Sequence, residues 1–196
     1  FDGDGIDDLA WTELQGALWI APGPDLVPAQ LGTMPEPDEL GAADLDGDGA
    51  DDLIVVGQYS NVQVHRGGPG GLSATDIWVI EFNALGDPRS LGDIDGNGFE
   101  DAALGQILFG GPGGPTAITG FGFAYRAGAL DDDGLDDVFF AGTFGIEAAR
   151  GAPGGVDPAL LWSWTSDTYH EAQAWEGLVV LDLDGDALDD LAYVTV

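Results

Sequence analysis

Five times in this chain an Asp-rich loop of one design is followed at once by a short apolar strand. The second copy is the cleanest: Asp44-Leu45-Asp46-Gly47-Asp48-Gly49-Ala50-Asp51-Asp52 runs directly into Leu53-Ile54-Val55-Val56. The other copies span Phe1 to Asp8, Asp93 to Asp101, Ala129 to Asp137 and Asp182 to Asp190. The repeat constrains both the local chemistry of the loops and the architecture around them.

With Asp44 as position one, carboxylates fall at positions one, three, five and nine: Asp44, Asp46, Asp48 and Asp52. Four carboxylates so close together repel in any compact conformation. A hard divalent cation removes that repulsion, and donors made only of oxygen suit calcium better than a transition metal. Gly49 at position six permits a sharp turn that a β-carbon would penalise, which lets the carbonyl of Ala50 at position seven serve as a further ligand. The spacing matches the start of an EF-hand loop, but that loop closes with Glu at position twelve and lies between helices. Position twelve here is Val55 and a strand follows at once, so the EF-hand reading fails. The alternative is an acidic loop of Asx turns without metal; five copies at matching offsets favour the cation.

The copies differ in completeness. Asp93, Asp95, Asn97 and Asp101, with the Phe99 carbonyl, form a full set. Asp182, Asp184, Asp186 and Asp190, with the Leu188 carbonyl, are also complete, but Ala187 stands at the turn-glycine position. An alanine forced to positive φ costs about 1 kcal/mol. The fourth copy has Ala129 at position one, leaving Asp131, Asp133, Asp137 and the Leu135 carbonyl. The first has Asp2, Asp4, Asp8 and the Ile6 carbonyl, with position one lying before Phe1. Up to five calcium sites are expected, the fourth and first being the weakest.

The formal charge is −32, from 36 acids against four arginines and no lysine. Even five divalent cations would leave a strongly acidic chain, which excludes nucleic acid and anionic membranes as partners, because both need a basic face. Acidity without lysine suits a salty or calcium-rich exterior. Hydrophobic residues make up 44% of the chain, enough for a packed core and too many for a disordered acidic tail. There is no cysteine, so disulfides and zinc–thiolate sites are excluded. No apolar run reaches the ~20 residues of a membrane span.

Motif starts at 44, 93, 129 and 182 give a period suited to units of four short strands. A Gly-Pro turn recurs within the intervals: Arg66-Gly67-Gly68-Pro69-Gly70-Gly71, Phe109-Gly110-Gly111-Pro112-Gly113-Gly114, Arg150-Gly151-Ala152-Pro153-Gly154-Gly155 and the shorter Ala21-Pro22-Gly23. A short strand enters each Asp loop, as in Ser90 to Gly92 or Gly177 to Leu181. An apolar strand leaves it: Leu9 to Thr12, Leu53 to Val56, Ala102 to Leu104, Val138 to Ala141 and Leu191 to Val196. A third strand runs to the Gly-Pro turn: Ala17 to Ala21, Val62 to Arg66, Gln106 to Phe109 and Ile146 to Arg150. The fourth is richer in aromatics: Ile77 to Phe82, Gly120 to Tyr125 and Leu160 to Trp164. Period-two patterning between Gly-rich turns predicts an all-β chain.

Asp loop, apolar strand and Gly-Gly-Pro or Gly-Ala-Pro turn, repeated in register over essentially the whole chain, resemble the FG-GAP repeat of integrin α-chain propellers, related bacterial propellers and fungal lectins. The resemblance implies a β-propeller of four-stranded antiparallel blades, with calcium loops between the first two strands of each blade. The approximate blades are 1–39, 40–88, 89–126, 127–177 and a partial 178–196, about four and a half in all. The first blade lacks its innermost strand. That count predicts either a fragment of a longer propeller or a chain completed by strand addition from a partner.

Catalysis is not expected. His65 and His170 have no nucleophile–acid partners near them in sequence, and the paired acids that a glycosidase would need belong to the loops. The four arginines, Arg66, Arg89, Arg126 and Arg150, are expected to act as counter-charges to acidic loops. Trp162, Trp164, Tyr169, His170 and Trp175 could stack on sugars, although Trp162 and Trp164 more simply fill space between blades, as Trp78 would. The expected function is a non-enzymatic, calcium-stabilised, extracellular or surface module for adhesion to a protein or glycan ligand. The alternatives are a lectin, a self-assembling structural subunit and an accessory domain of a secreted enzyme.

Overall fold

A computed structural model of the chain describes residues 1–34, 37–57, 61–75, 77–81, 86–118, 123–142, 145–165 and 179–192, and every regular element in it is a β-strand. The first sheet contains β1 (Leu9–Thr12), β2 (Ala17–Ala21) and β3 (Ala29–Thr33). The second contains β4 (Pro37–Ala43), β5 (Asp52–Gly57), β6 (Asn61–His65) and β7 (Ile77–Glu81). The third contains β8 (Arg89–Gly92), β9 (Asp101–Ala103), β10 (Ile107–Phe109) and β11 (Thr116–Ile118). The fourth contains β12 (Phe123–Gly128), β13 (Asp137–Gly142), β14 (Gly145–Ala152) and β15 (Gly155–Thr165), and β16 (Val179–Leu181) with β17 (Asp190–Ala192) forms the fifth. Neighbours in sequence are antiparallel neighbours in each sheet, and no sheet closes on itself among the described residues. The described strands thus form one three-stranded, three four-stranded and one two-stranded sheet.

Period-two alternation sends successive side chains of a central strand into two different cores. Ile54 and Val56 of β5 pack with Ala102, Leu104 and Leu108 of the third sheet, whereas Leu53 and Val55 pack with Leu18 and Met34 on the first-sheet side. In β9, Ala102 faces the second sheet and Ala103 faces Val138 and Phe140 of the fourth. Phe139 turns the other way, to Val180 and Leu191 of the fifth. The sheets therefore stack face to face in chain order, each inner one buried on both faces, which is why β5 and β9 are buried throughout and apolar after their opening aspartates. The strands that precede the Asp loops run side by side: β4 beside β8, β8 beside β12 and β12 beside β16.

Trp78 of β7 packs against the core between the second and third sheets, where its indole lies over Gly114. This bears out the space-filling expectation for Trp78. Trp11 and Trp19, paired across β1 and β2, stack with ring centroids 6.2 Å apart.

Two strand assignments change. The fourth strand of the third sheet is Thr116–Ile118, not Gly120 to Tyr125; Phe123–Gly128 instead opens the fourth sheet. The physical reason is the Asp loop, which needs an entering strand, and Gly128 pairs with Asp137 across its mouth. The sheet boundary thus falls before Phe123 rather than at 126–127. Likewise, β4 begins at Pro37 and draws the end of the predicted 1–39 unit into the second sheet.

Each Gly-Pro turn folds back on the Asp loop of its own sheet. A Cβ at Gly67, Gly110 or Gly151 would run into the backbone carbonyl of Asp51, Glu100 or Asp136 respectively. The next residue of the turn donates to the preceding sheet: Gly68 to the Phe1 carbonyl (2.7 Å), Gly111 to that of Leu45 (2.8 Å) and Ala152 to that of Ile94 (3.0 Å). Gly110→Ala should therefore destabilise the protein by about 1–3 kcal/mol. Gly113→Ala in the same turn, where a Cβ meets open space, should change stability by less than about 0.5 kcal/mol. Paired denaturant titrations check this, and equal effects would contradict the close packing.

Candidate metal centres

The Asp loops connect the first two strands of the second to fifth sheets, and all four close on the same register. The residue before position one pairs with position nine: Ala43 with Asp52, Gly92 with Asp101, Gly128 with Asp137 and Leu181 with Asp190. Within the loop, short acidic side chains capture nearby amides, the usual preference of Asp and Asn in turns. In all five copies the position-five amide donates to the position-three side chain and the position-seven amide to the position-five side chain. In the third copy these are Asn97 to Asp95 (3.1 Å) and Phe99 to Asn97 (2.8 Å). Where position one is Asp, its carboxylate takes the position-six amide: Gly49 to Asp44 (2.9 Å), Gly98 to Asp93 (2.8 Å) and Ala187 to Asp182 (3.1 Å).

Position nine has a role beyond that of a ligand. Asp52, Asp101 and Asp137 are each 0% exposed. One oxygen of each accepts the position-two amide of its own loop, from Leu45 (3.1 Å), Ile94 (3.0 Å) and Leu130 (2.9 Å). The other accepts an amide of the Gly-Pro turn, from Gly67 (2.8 Å), Gly110 (2.9 Å) and Gly151 (3.0 Å). Asp8 repeats the pattern with the Phe1 amine (3.1 Å) and the Gly23 amide (2.8 Å), and also accepts the Asp2 amide (3.2 Å). The carboxylate thus fastens the connection between strands one and two to that between strands three and four.

The side chains brought together are Asp44, Asp46 and Asp48; Asp93, Asp95 and Asp101; and Asp182, Asp184 and Asp190. In each group one ligand atom per residue lies within 4.8 Å of the others, close enough to hold a metal ion. Asp186 lies outside the third group, its carboxylate accepting the Leu188 amide (2.9 Å), and the Asn97 oxygen accepts the Phe99 amide (2.8 Å). Asp52 lies outside the first group, whereas Asp101, with the same two amide partners, belongs to the second. The acids of the first and fourth loops form no such group among the described residues. The sites expected to be weakest are therefore the two without convergence.

Local electrostatics favour a cation. Burial raises the Asp46 carboxyl above its ordinary value, and the neighbouring Asp48 adds to the effect. Burial also raises Asp95, as it does Asp137. It pushes Asp52 and Asp101 up to about 7 despite their two amide partners. The exposed Asp182 is held low instead, by the amides of Gly185 and Ala187.

Two arginines do neutralise loops. Arg66 pairs with Asp46 and lies 3.7 Å from Asp48. Arg150 reaches Asp131 (2.6 Å) and Asp133 (3.7 Å). Arg89 pairs with Asp87, outside the loops, and the side chain of Arg126 lies outside what the structure describes.

Sequence reasoning missed the acids at position eight. Glu100 accepts the amide of Asp44 in the preceding loop (3.3 Å), with Ser90 donating to the same oxygen (2.9 Å). Asp189 does the same for Ala129 (3.0 Å). The backbone repeats the link, from Glu100 to the Asp44 carbonyl (3.2 Å) and from Asp189 to that of Ala129 (2.7 Å). The available signal was an acid at position eight in all five copies.

His65 is a packing residue: it is buried, its Nδ1 donates to the Ser73 carbonyl (3.0 Å), and burial lowers its pKa. Trp162 is 43% exposed on β15, so it does not fill space between sheets, whereas its neighbour Leu161 packs inward. Tyr169, His170 and Trp175 lie outside the described residues. No protein-family model matches this sequence, and no curated protein is significantly similar to it.

Two outcomes follow from the loop geometry. Asp52 and Asp101 have folded values near 7 against 3.8 for the free side chain. Folding without metal therefore takes up protons. The associated stability is complete below the free value and is lost as pH rises through 7. In chelator, the melting temperature at pH 5 should exceed that at pH 8 by on the order of 10 °C; a melting temperature that rises with pH over this range would refute the assignment. Ala187 sits at φ 72° where other copies have glycine, so Ala187→Gly should stabilise the protein by about 1 kcal/mol in equilibrium unfolding.

Proposed function

We propose that this chain is a calcium-stabilised β-propeller module, non-catalytic and working outside the cell, that presents a rigid surface to a protein or glycan ligand. The observation that carries the reading is the convergence of three carboxylates at the same turn of three repeated units. Calcium is the ion of choice because the donors are all hard oxygens: carboxylates, one amide and the carbonyls at position seven. Asp44, Asp46 and Asp48; Asp93, Asp95, Asn97 and Asp101; and Asp182, Asp184, Asp186 and Asp190 would hold it. The ion supplies positive charge where the fold concentrates negative charge, and performs no reaction.

Four-stranded antiparallel sheets stacked in chain order, with their loop-entering strands side by side, support the propeller reading. The FG-GAP resemblance implies blades and inner strands in an arrangement of this kind. An acidic surface without lysine supports an extracellular setting, where calcium is plentiful. The expected adhesive role rests on the scaffold, whose loops can vary without disturbing the stacked cores.

Calcium binds the folded loops better than the unfolded chain and so raises stability by mass action. Melting in millimolar calcium should exceed melting in EDTA by on the order of 10 °C. Identical melts would exclude a structural role for calcium.

A further inference from the structure

We infer that the loop at 129–137 is closed by the guanidinium of Arg150 and takes no metal, so that one unit carries a built-in cation while others carry an exchangeable one. Three independent departures in this loop converge on that reading. Position one is Ala129, so the amide of Gly134 has no carboxylate of the kind that receives Gly49, Gly98 and Ala187 in the other loops. Position four is Asp132, which is not left-handed, whereas Gly3, Gly47, Gly96 and Gly185 lie at φ 72°, 74°, 72° and 84°. The backbone that brings three carboxylates together elsewhere is thus not adopted here.

The third departure is Arg150 itself. Its Nε donates to Asp131 Oδ2 at 2.7 Å, and its Nη2 lies 2.6 Å from the same oxygen. Nε also lies 3.7 Å from Asp133 Oδ2. One planar cation therefore engages two of the three acids left at the ligand positions of the loop, as guanidinium groups do well. Arg150 stands immediately before the Gly-Ala-Pro turn. The same place in the third sheet holds Phe109, which cannot neutralise anything, and there the carboxylates converge without help. The second sheet has Arg66 at that place but keeps Asp44, and its three carboxylates still converge. The residue before the Gly-Pro turn, read together with position one, thus sorts the loops: arginine with alanine closes a loop, while aspartate at position one keeps it open to an ion.

The ion-counting half of this inference rests on the calcium reading, and the guanidinium half does not. Bound calcium per chain, counted by equilibrium dialysis, tests the first half. Asp131→Ser keeps a turn-forming oxygen and should leave the count unchanged. Asp93→Ala, or Asp182→Ala should that variant be unfolded, should lower it by one. A lost ion in Asp131→Ser overturns the inference.

Melting in EDTA tests the second half. Arg150→Met should melt about 2–4 °C below the parent, and an unchanged melt overturns the inference. Should the parent bind no calcium at all, the proposed function fails, and the EDTA comparison alone decides the role of Arg150.

Discussion

The structure depends on a buried carboxylate at position nine of the second, third and fourth Asp loops. An ionised carboxylate without partners is among the most costly groups to bury. Asp52, Asp101 and Asp137 offset that cost with one amide from their own loop and one from the Gly-Pro turn. The two motifs that stand apart in sequence are therefore one structural unit. The acid that ends the loop also holds the turn, and the turn must bring glycine because the loop backbone presses on its α-carbon. The position-two peptide continues the connection: its amide donates to the position-nine acid, and its carbonyl accepts the turn of the next sheet. A line of hydrogen bonds thus runs from sheet to sheet beside the apolar cores.

That arrangement concentrates negative charge. Of the 36 acids, 23 lie in the five loops, against four arginines in the whole chain. The fold can accept such density only where something positive or protonic stands among the carboxylates. The units meet this need in different ways. Arg150 serves the fourth loop, and Arg66 shares the second with a converged carboxylate group. The third and fifth have converged groups and no arginine within reach among the described residues. In the second and third loops burial pushes Asp52 and Asp101 up to about 7, toward the protonated form.

Much of this was legible in sequence, for a physical reason: turn chemistry and period-two patterning are local, and they alone place the loops, the strands that leave them and the all-β class. Leu9–Thr12 and Ala17–Ala21 form as read. What lay beyond sequence was non-local. Gly120 to Tyr125 alternates well enough to be a strand, but nothing local says which sheet receives it; the pairing of Gly128 with Asp137 decides that. Ala29–Thr33 lacks apolar alternation and forms because β2 offers it a partner. Position nine reads as a ligand because a carboxylate that binds metal and one that accepts two amides are the same residue. Position eight could not be assigned from one copy, since the partner of Glu100 is the amide of Asp44, 56 residues earlier.

The position-eight contacts bear on how the loops can respond to a cation. Each such acid belongs to one loop yet binds the position-one amide of the loop before it, from Glu100 to Asp44 and from Asp189 to Ala129. Position one is also where a converged loop places its first carboxylate, so ordering one loop orders the anchoring point of its neighbour. In a stacked repeat, stability is a sum of unit and nearest-neighbour terms, and these contacts make the neighbour term sensitive to loop geometry. A cation held at 93–101 would therefore act on the loop at 44–52 through Glu100 as well as on its own strands. At 129–137 the guanidinium of Arg150 keeps the sequence of ordered loops unbroken between the third sheet and the fifth.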